Sequence, residues 1–263
     1  MKKIKNKVIL ITGASSGIGR QLAVDLARKG AKLILVARSE DKLMDVKKQI
    51  EESGAYPPAV WSLDVGDRKR VDQLLPSLLK EMPPIDVLIN NAGFGKFDAF
   101  VDADMKDIEA MFDVNVLGLM RFTSHVLPRM IAKRQGHIVN VASQAGKLAT
   151  PKSSGYSASK HAVLGFSNSL RMEMKEHNIF VTTVNPGPIN TSFFETADSS
   201  GTYIKNVEKM MLSSEKVSKE IIAAIEKGRR EVNLPGWMNV GAKLYHTAPG
   251  VVEKVAGKFF DQK

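Results

Sequence analysis

Tyr156 and Lys160 stand four residues apart in Gly155-Tyr156-Ser157-Ala158-Ser159-Lys160, a stretch compatible with a helix. Side chains at that separation share a helical face, so an ammonium can sit beside a phenol. A free tyrosine ionises near pH ~10, too high for an efficient base near neutrality. A neighbouring positive charge favours phenolate and lowers that value, and a phenol so tuned can donate a proton to a developing alkoxide or remove one from an alcohol. Ser143 follows the apolar run 136–142, which places its hydroxyl at the end of a strand. From there it can hold a substrate oxygen near Tyr156 and stabilise charge as it develops. Asn115 lies in Phe112-Asp113-Val114-Asn115-Val116-Leu117-Gly118, a polar residue inside an apolar helical pattern that needs a partner if buried. Tyr/Lys pairs at this spacing are common on helix surfaces, and a serine closing a strand is usually a turn or cap residue, so neither identifies a site alone.

A second group of residues is suited to phosphate. Thr12-Gly13-Ala14-Ser15-Ser16-Gly17-Ile18-Gly19 follows an apolar run and opens a helical pattern. Glycines permit a tight turn and close backbone approach to a pyrophosphate, and a helix beginning near Gly17 turns free amides and a positive dipole end toward it. Three residues separate the first two glycines, unlike the common G-x-G-x-x-G. NAD sites usually carry a carboxylate at the end of the second strand for the ribose 2′-hydroxyl. Here that strand ends in Val36-Ala37-Arg38. Arg38 offers a forked, charge-assisted contact to a 2′-phosphate, Ser15 can add a hydroxyl, and the expectation is NADP(H).

Taken together, Thr12-Gly13-x-x-x-Gly17-x-Gly19, Asn90-Asn91-Ala92-Gly93, Asn115, Ser143, Tyr156-x-x-x-Lys160 and Pro186-Gly187 resemble the short-chain dehydrogenase/reductase family in order and spacing. The resemblance covers about residues 5–235 and looks like the NADP-preferring branch, whose basic residue after the second strand corresponds to Arg38. It implies that Asp64 and Val65, ending the third strand, flank an adenine, and that Asn91, Ala92 and Gly93 line the adenosine ribose side. Pro186, Gly187, Ile189 and Thr191 would hold the nicotinamide end. The Asn115 backbone would hold a water linked to Lys160, and Lys160 would bind the nicotinamide ribose while tuning Tyr156. A homo-dimer or homo-tetramer, assembled through helices near 104–133 and 155–177, is implied as well. The expected activity is carbonyl reduction or alcohol oxidation on a small-molecule substrate. The alternative is a dinucleotide-sensing regulatory or membrane-surface protein on the same fold.

The elements that must position these residues alternate. Short apolar runs at 7–12, 32–37, 58–64, 85–90, 136–142, 179–185 and 231–234 read as strands covered on both faces. Helical spacing falls at 17–29, 40–52 (with Ser39 as a candidate cap), 67–81, 104–133, 155–177 and 215–227. Alternation of this kind predicts a single α/β domain, a doubly wound, Rossmann-like parallel sheet of about seven strands whose ligands bind beyond the carboxyl ends. Residues 188–214 lack clear periodicity and read as a lid. Their Phe193, Phe194, Tyr203, Met210 and Met211 either meet an apolar substrate or pack beneath the lid. From Trp237 onward, Leu244, Tyr245, Val251, Val252, Val255, Phe259 and Phe260 recur among lysines, interrupted by Pro249-Gly250. This C-terminal extension, 237–263, packs on its own domain, on another subunit, or on an anionic membrane surface.

Composition removes several classes of function. The 263 residues contain no cysteine, which excludes disulfides, thiolate nucleophiles and cysteine-based metal sites. Five histidines lack metal-ligand spacing, and His125, His137 and His161 read as surface or packing residues. The formal charge is +10, but the lysines are dispersed and no aromatic-basic cluster marks a nucleic-acid site. No apolar run reaches the ~20 residues of a bilayer span, and the basic start leads straight into the glycine-rich loop rather than into a signal-like apolar region. The expected location is cytoplasmic.

Overall fold

The computed structural model describes residues 4–198, 201–250, 252 and 254. Seven strands form one all-parallel sheet in the order β3-β2-β1-β4-β5-β6-β7. They are β1 Val8–Thr12, β2 Lys32–Ala37, β3 Ala59–Ser62, β4 Val87–Asn90, β5 Gly136–Val141, β6 Ile179–Pro186 and β7 Glu231–Leu234. The order reverses between β1 and β4, whose registers pair Ile9 with Val87 and Ile11 with Ile89. The crevice above that reversal is where a doubly wound sheet takes its ligand.

Both faces of the sheet are covered, as the unbroken apolar runs predict. Alternate residues of β1 turn to opposite sides. Ile9 and Ile11 join Leu22 and Leu26 of α1 (Gly17–Arg28), Leu43 and Ile50 of α2 (Glu40–Glu52), and Ile221 and Ile225 of α9 (Ser214–Lys227). Val8 and Leu10 join Leu75 and Leu79 of α3 (Arg68–Glu81), Phe122 and Val126 of α5 (Leu119–Lys133), and Leu170 and Met174 of α6 (Ser154–Met174). Each cluster holds buried side chains from several helices against one sheet face, which fixes where the strand ends stand.

Four elements differ from the sequence reading. The helix expected over 104–133 is three pieces: α4 (Met105–Phe112), a π-helical stretch Asp113–Gly118, and α5. Strand β3 stops at Ser62, so Asp64 and Val65 lie beyond it rather than ending it. Ser39 does stand at the N-cap of α2, but its side chain makes no capping bond. The segment 188–214 has structure of its own: α7 (Phe193–Ala197), α8 (Thr202–Val207) and a 3₁₀ turn at Glu208–Met210. Its ends are held by an isolated parallel bridge, with Asn190 N donating to Leu212 O at 3.0 Å and Leu212 N to Pro188 O at 2.9 Å.

Past β7, α10 (Gly236–Thr247) contains Trp237, Leu244 and Tyr245. Val251, Val255, Phe259 and Phe260 fall outside the described residues. Among the described residues no helix is long and apolar enough to cross a membrane. His137 is fully buried, with its Nε2 2.7 Å from Thr182 Oγ1. His125 and His161 lie toward the surface, with His125 Nε2 3.3 Å from Asp72 and His161 Nδ1 2.8 Å from Ser157 O.

Candidate active site

The turn after β1 is built from contacts that leave no room for side chains. Gly13 has φ +66°, and a Cβ there would stand 2.8 Å from Ala92 Cα. At Gly19 a Cβ would stand 2.1 Å from the Gly13 carbonyl oxygen and 2.6 Å from Asn91 Nδ2. Asn91 Nδ2 donates to Thr12 O at 3.0 Å and to Gly13 O at 3.1 Å. Thr12 Oγ1 accepts from Asn91 N at 3.0 Å and from Ala92 N at 3.1 Å. The loop after β4 therefore clamps the glycine loop. Asn91 does this with its side chain, a role that sequence order alone did not suggest.

Beside it, Ser16 stands at the N-cap of α1 in an extended conformation, its side chain making no capping bond. Arg38 is largely exposed, with Nη1 3.9 Å from Asp64 Oδ2, and Asp64 Oδ1 accepts from Gly66 N at 2.9 Å. An exposed pair at that distance contributes little and leaves the guanidinium able to exchange partners.

At the opposite end stand Ser143, Tyr156 and Lys160. Strand β5 ends at Val141, so Ser143 lies just past it, as the N-cap of a 3₁₀ turn. Its Oγ accepts from Ala145 N at 3.0 Å. The cap and the chemically useful hydroxyl are thus one residue, whose Oγ also donates to Pro186 O at 3.4 Å. Tyr156 and Lys160 occupy the first turns of α6, with Lys160 Nζ 5.7 Å from the centre of the Tyr156 ring. Nζ also donates to Val141 O at 3.1 Å.

Burial pushes the Tyr156 phenol up to about 12, and the Ser143 hydroxyl acts in the opposite sense. Burial lowers Lys160 to about 8. The neighbouring ammonium was expected to lower the phenol. Desolvation wins instead, because both groups are enclosed and the charged form of each is disfavoured. Burial therefore favours the protonated phenol.

Asn115 is buried within the π-helical stretch. Its Oδ1 accepts from Phe94 N at 3.0 Å, while Nδ2 donates to Phe94 O at 2.9 Å and to Ser159 Oγ at 3.1 Å. Its side chain thus fixes the loop after β4 against α6, and Ser159 in turn donates to Tyr156 O at 2.7 Å. A π insertion rotates a helix by one residue and recurs at functional sites.

A continuous cavity of about 720 Å³ joins the two ends. Every predicted site residue lines it except Gly19 and Asn115, which stand behind its wall. The glycine cradle, the exposed Arg38 and the volume of the cavity fit a dinucleotide. Sequence reasoning missed Phe94, Phe97 and Leu148, which also line it. The loops holding them carry no periodicity, and the only signal was Phe94, Phe97 and Phe100 recurring every third position. Pro186 ends β6, Gly187 N donates to Leu234 O at 2.6 Å, and the methyl of Thr191 faces Gly17.

A parallel sheet with a glycine loop at its reversal point, and Ser, Tyr and Lys converging on the same edge, defines a Rossmann-type dinucleotide-binding oxidoreductase class. The family model described as short chain dehydrogenase matches residues 7–200. A dehydrogenase/reductase SDR family member 7B from Mus musculus is 35% identical, covering 96% of this chain and 80% of that protein. An SDR family protein 7-like from Anopheles gambiae is 36% identical, covering 95% and 82%. A solved short chain dehydrogenase/reductase from Burkholderia phymatum, in complex with NAD, superposes with TM-score 0.86 at 25% identity, covering 95% of this chain and 96% of that one. A short-chain dehydrogenase from Sphingobium yanoikuyae, in complex with NADPH, gives TM-score 0.81 at 27% identity, covering 95% of each. The chain belongs to the short-chain dehydrogenase/reductase family.

Proposed function

We propose that this chain uses NADP(H) to interconvert a carbonyl and an alcohol on a partly apolar small molecule, working chiefly as a reductase. The observation that carries the reading is the convergence of Ser143, Tyr156 and Lys160 on the cavity that also holds the glycine loop and Arg38. A dinucleotide sensor has no need of that acid/base set.

Gly13, Ser15, Ser16, Gly17 and Ile18 would hold the pyrophosphate at the start of α1. Arg38 would release Asp64 to pair with the 2′-phosphate, while Asp64 and Val65 flank the adenine. Asn91, Ala92 and Gly93 would border the ribose, and Pro186, Gly187, Ile189 and Thr191 the nicotinamide. When bound, the cofactor supplies hydride to the carbonyl carbon, or accepts it in reverse. Ser143 orients the substrate oxygen, and Tyr156 donates its proton to that oxygen as the alcohol forms. Lys160 would hold the nicotinamide ribose, and its ammonium, 5.7 Å from the centre of the Tyr156 ring, would stabilise the phenolate left behind. Asn115 fixes the Phe94 loop and supports the return of a proton from solvent.

Two variants test this together. Tyr156→Phe should lower kcat by about 10²–10⁴-fold with NADPH affinity nearly intact. Arg38→Ala should weaken NADPH binding by roughly tenfold or more and leave NADH binding unchanged. Near-normal turnover in the first, measured by NADPH oxidation, would remove the proton-donor role. Equal losses for both cofactors in the second, measured by fluorescence titration, would remove the NADP(H) preference.

The same reading carries assembly into a homo-dimer or homo-tetramer. Met105 of α4, Leu117 of the π-helical stretch and Met172 of α6 leave apolar side chains exposed there. A monomeric mass by light scattering would remove that part.

A further inference from the structure

We propose that the lid half of the cavity accepts a neutral, flat apolar group on the reacting carbon and rejects anions, with Phe97 as its specificity-determining residue. This deepens the reading of Tyr156 as proton donor and rests on it for the position of the reacting carbon.

Phe97 is the centre of a cluster of rings. It meets the catalytic phenol of Tyr156 edge-on, with centroids 5.7 Å apart and planes at 70°. It meets Tyr203 of α8 at 5.5 Å and 82°. Phe193 and Phe194 of α7 are each 6.4 Å away, and Phe193 lies 5.7 Å from Tyr156. Rings in these edge and tilted arrangements leave faces and edges that favour another ring over a flexible polar chain. Phe97 is also held in place. Its N–H donates to Ala197 O of α7 at 2.9 Å, and Asn115 grips Phe94 at the start of the same loop. A substituent on the reacting carbon, fixed by its oxygen at Tyr156 and Ser143, would meet the Phe97 and Phe193 rings first.

Charge points the same way. Among the described residues the cavity is lined by five charged side chains: Arg38, Lys42, Asp64, Lys160 and Glu195. The first three stand at the adenosine end. Lys160 is directed to Val141 O beneath Tyr156. On the lid side the remaining charge is Glu195, which is negative and exposed at the rim. The walls there include Leu148, Val207, Met210, Trp237 and Met238, with Ser192, Thr196 and Tyr203 as neutral hydroxyls among them. Among the described residues, a carboxylate or phosphate entering this half would lose hydration without gaining a cation, and it would approach Glu195. The +10 net charge of the whole chain attracts anions at long range. Among the described residues it supplies no cation at this spot.

The test uses the binary complex with NADPH and two ligands that cannot turn over with it. These are 1-(2-naphthyl)ethanol and the same alcohol carrying a 6-carboxylate, titrated calorimetrically. The neutral alcohol should bind about tenfold or more tightly than the carboxylate, a gap of ~1.4 kcal/mol. Phe97→Ala should weaken the neutral ligand by about tenfold and the carboxylate by less than about threefold. Phe97→Leu, which keeps apolar volume without a ring, should fall between, and an unchanged NADPH affinity will report that the cofactor half is intact. Glu195→Lys should narrow the gap to about threefold or less. Equal or tighter binding of the carboxylate by the unaltered protein, or binding of neither ligand, would overturn the proposal. Turnover is read separately with 2-acetylnaphthalene. Selective binding without NADPH oxidation would sink the catalytic reading and leave the pocket chemistry standing; oxidation without selectivity would do the reverse.

Discussion

Lys160 is only 4% exposed, and burial holds it at about 8, against an ordinary value of 10.5. The unfolded chain therefore binds this proton more readily than the folded one between those two values. Stability rises with pH across that window, and at neutral pH the buried ammonium costs the fold on the order of 3 kcal/mol. Replacing it by a side chain of similar shape and no charge removes that cost, at the loss of one hydrogen bond to Val141 O worth about 1 kcal/mol. Lys160→Met is therefore expected to raise unfolding stability by about 1–2 kcal/mol and to abolish turnover. Urea denaturation at pH 7 checks the first half and NADPH oxidation the second; a destabilised variant would show that the ammonium is better compensated than its surroundings indicate. Burial favours the protonated form of the phenol, the form that donates. Sequence placed Tyr156, Lys160 and Ser143 together but reversed the sign of the phenol's shift. Spacing reports a neighbour's charge and says nothing of how deeply both groups are enclosed.

Between α4 and α5 the π-helical stretch Asp113–Gly118 turns Asn115 toward Phe94 and Ser159. An unbroken α-helix would carry a residue at that position to another face. Asn115→Leu removes three hydrogen bonds and leaves the Phe94 amide and carbonyl to find other partners, at a cost of about 2–4 kcal/mol. Its kcat should fall with KM for the substrate rising, because the loop bearing Phe97 is released as well. Hydrogen exchange at the Phe94 amide is the direct readout, and unchanged protection there would exclude this positioning role. Apolar periodicity revealed all seven strands and most helices, since each buries a continuous stripe against the sheet. It missed the π insertion, because a stretch of six residues is too short to show where one apolar stripe stops and the rotated one begins. It also missed α7 and α8, which are too short for a period to show.

Across the whole molecule, the cavity opens at the carboxyl edge of the sheet, and His137, in the first half of β5, lies toward the amino edge. Its ring is fully buried, and desolvation lowers it from 6.5 to about 4. The neutral ring thus contributes stability that is present above pH ~6.5 and lost as pH falls through about 4, amounting to roughly 3 kcal/mol. His137→Gln keeps a polar partner for Thr182 and removes the titration. Denaturation midpoints of the two proteins should run parallel above pH 7 and diverge below pH 6, with the unaltered chain losing stability faster. Parallel curves down to pH 4 would assign acid sensitivity elsewhere. The composition could not reveal this, because a lone histidine reads alike on a surface and in a core.

The bridge between Ile189 and Leu212 staples both ends of the segment carrying α7 and α8 to one another. We expect what lies between to exchange as a cassette, its joints already closed, when the replacement keeps a ring at the Phe193 position beside Tyr156 and the carbonyl that accepts from Phe97 N. Swapping 192–211 for the matching stretch of a relative should therefore retune which molecules are accepted while hydride transfer and sheet integrity persist. Diversification of this scaffold would then proceed by exchanging cassettes above a constant reaction centre.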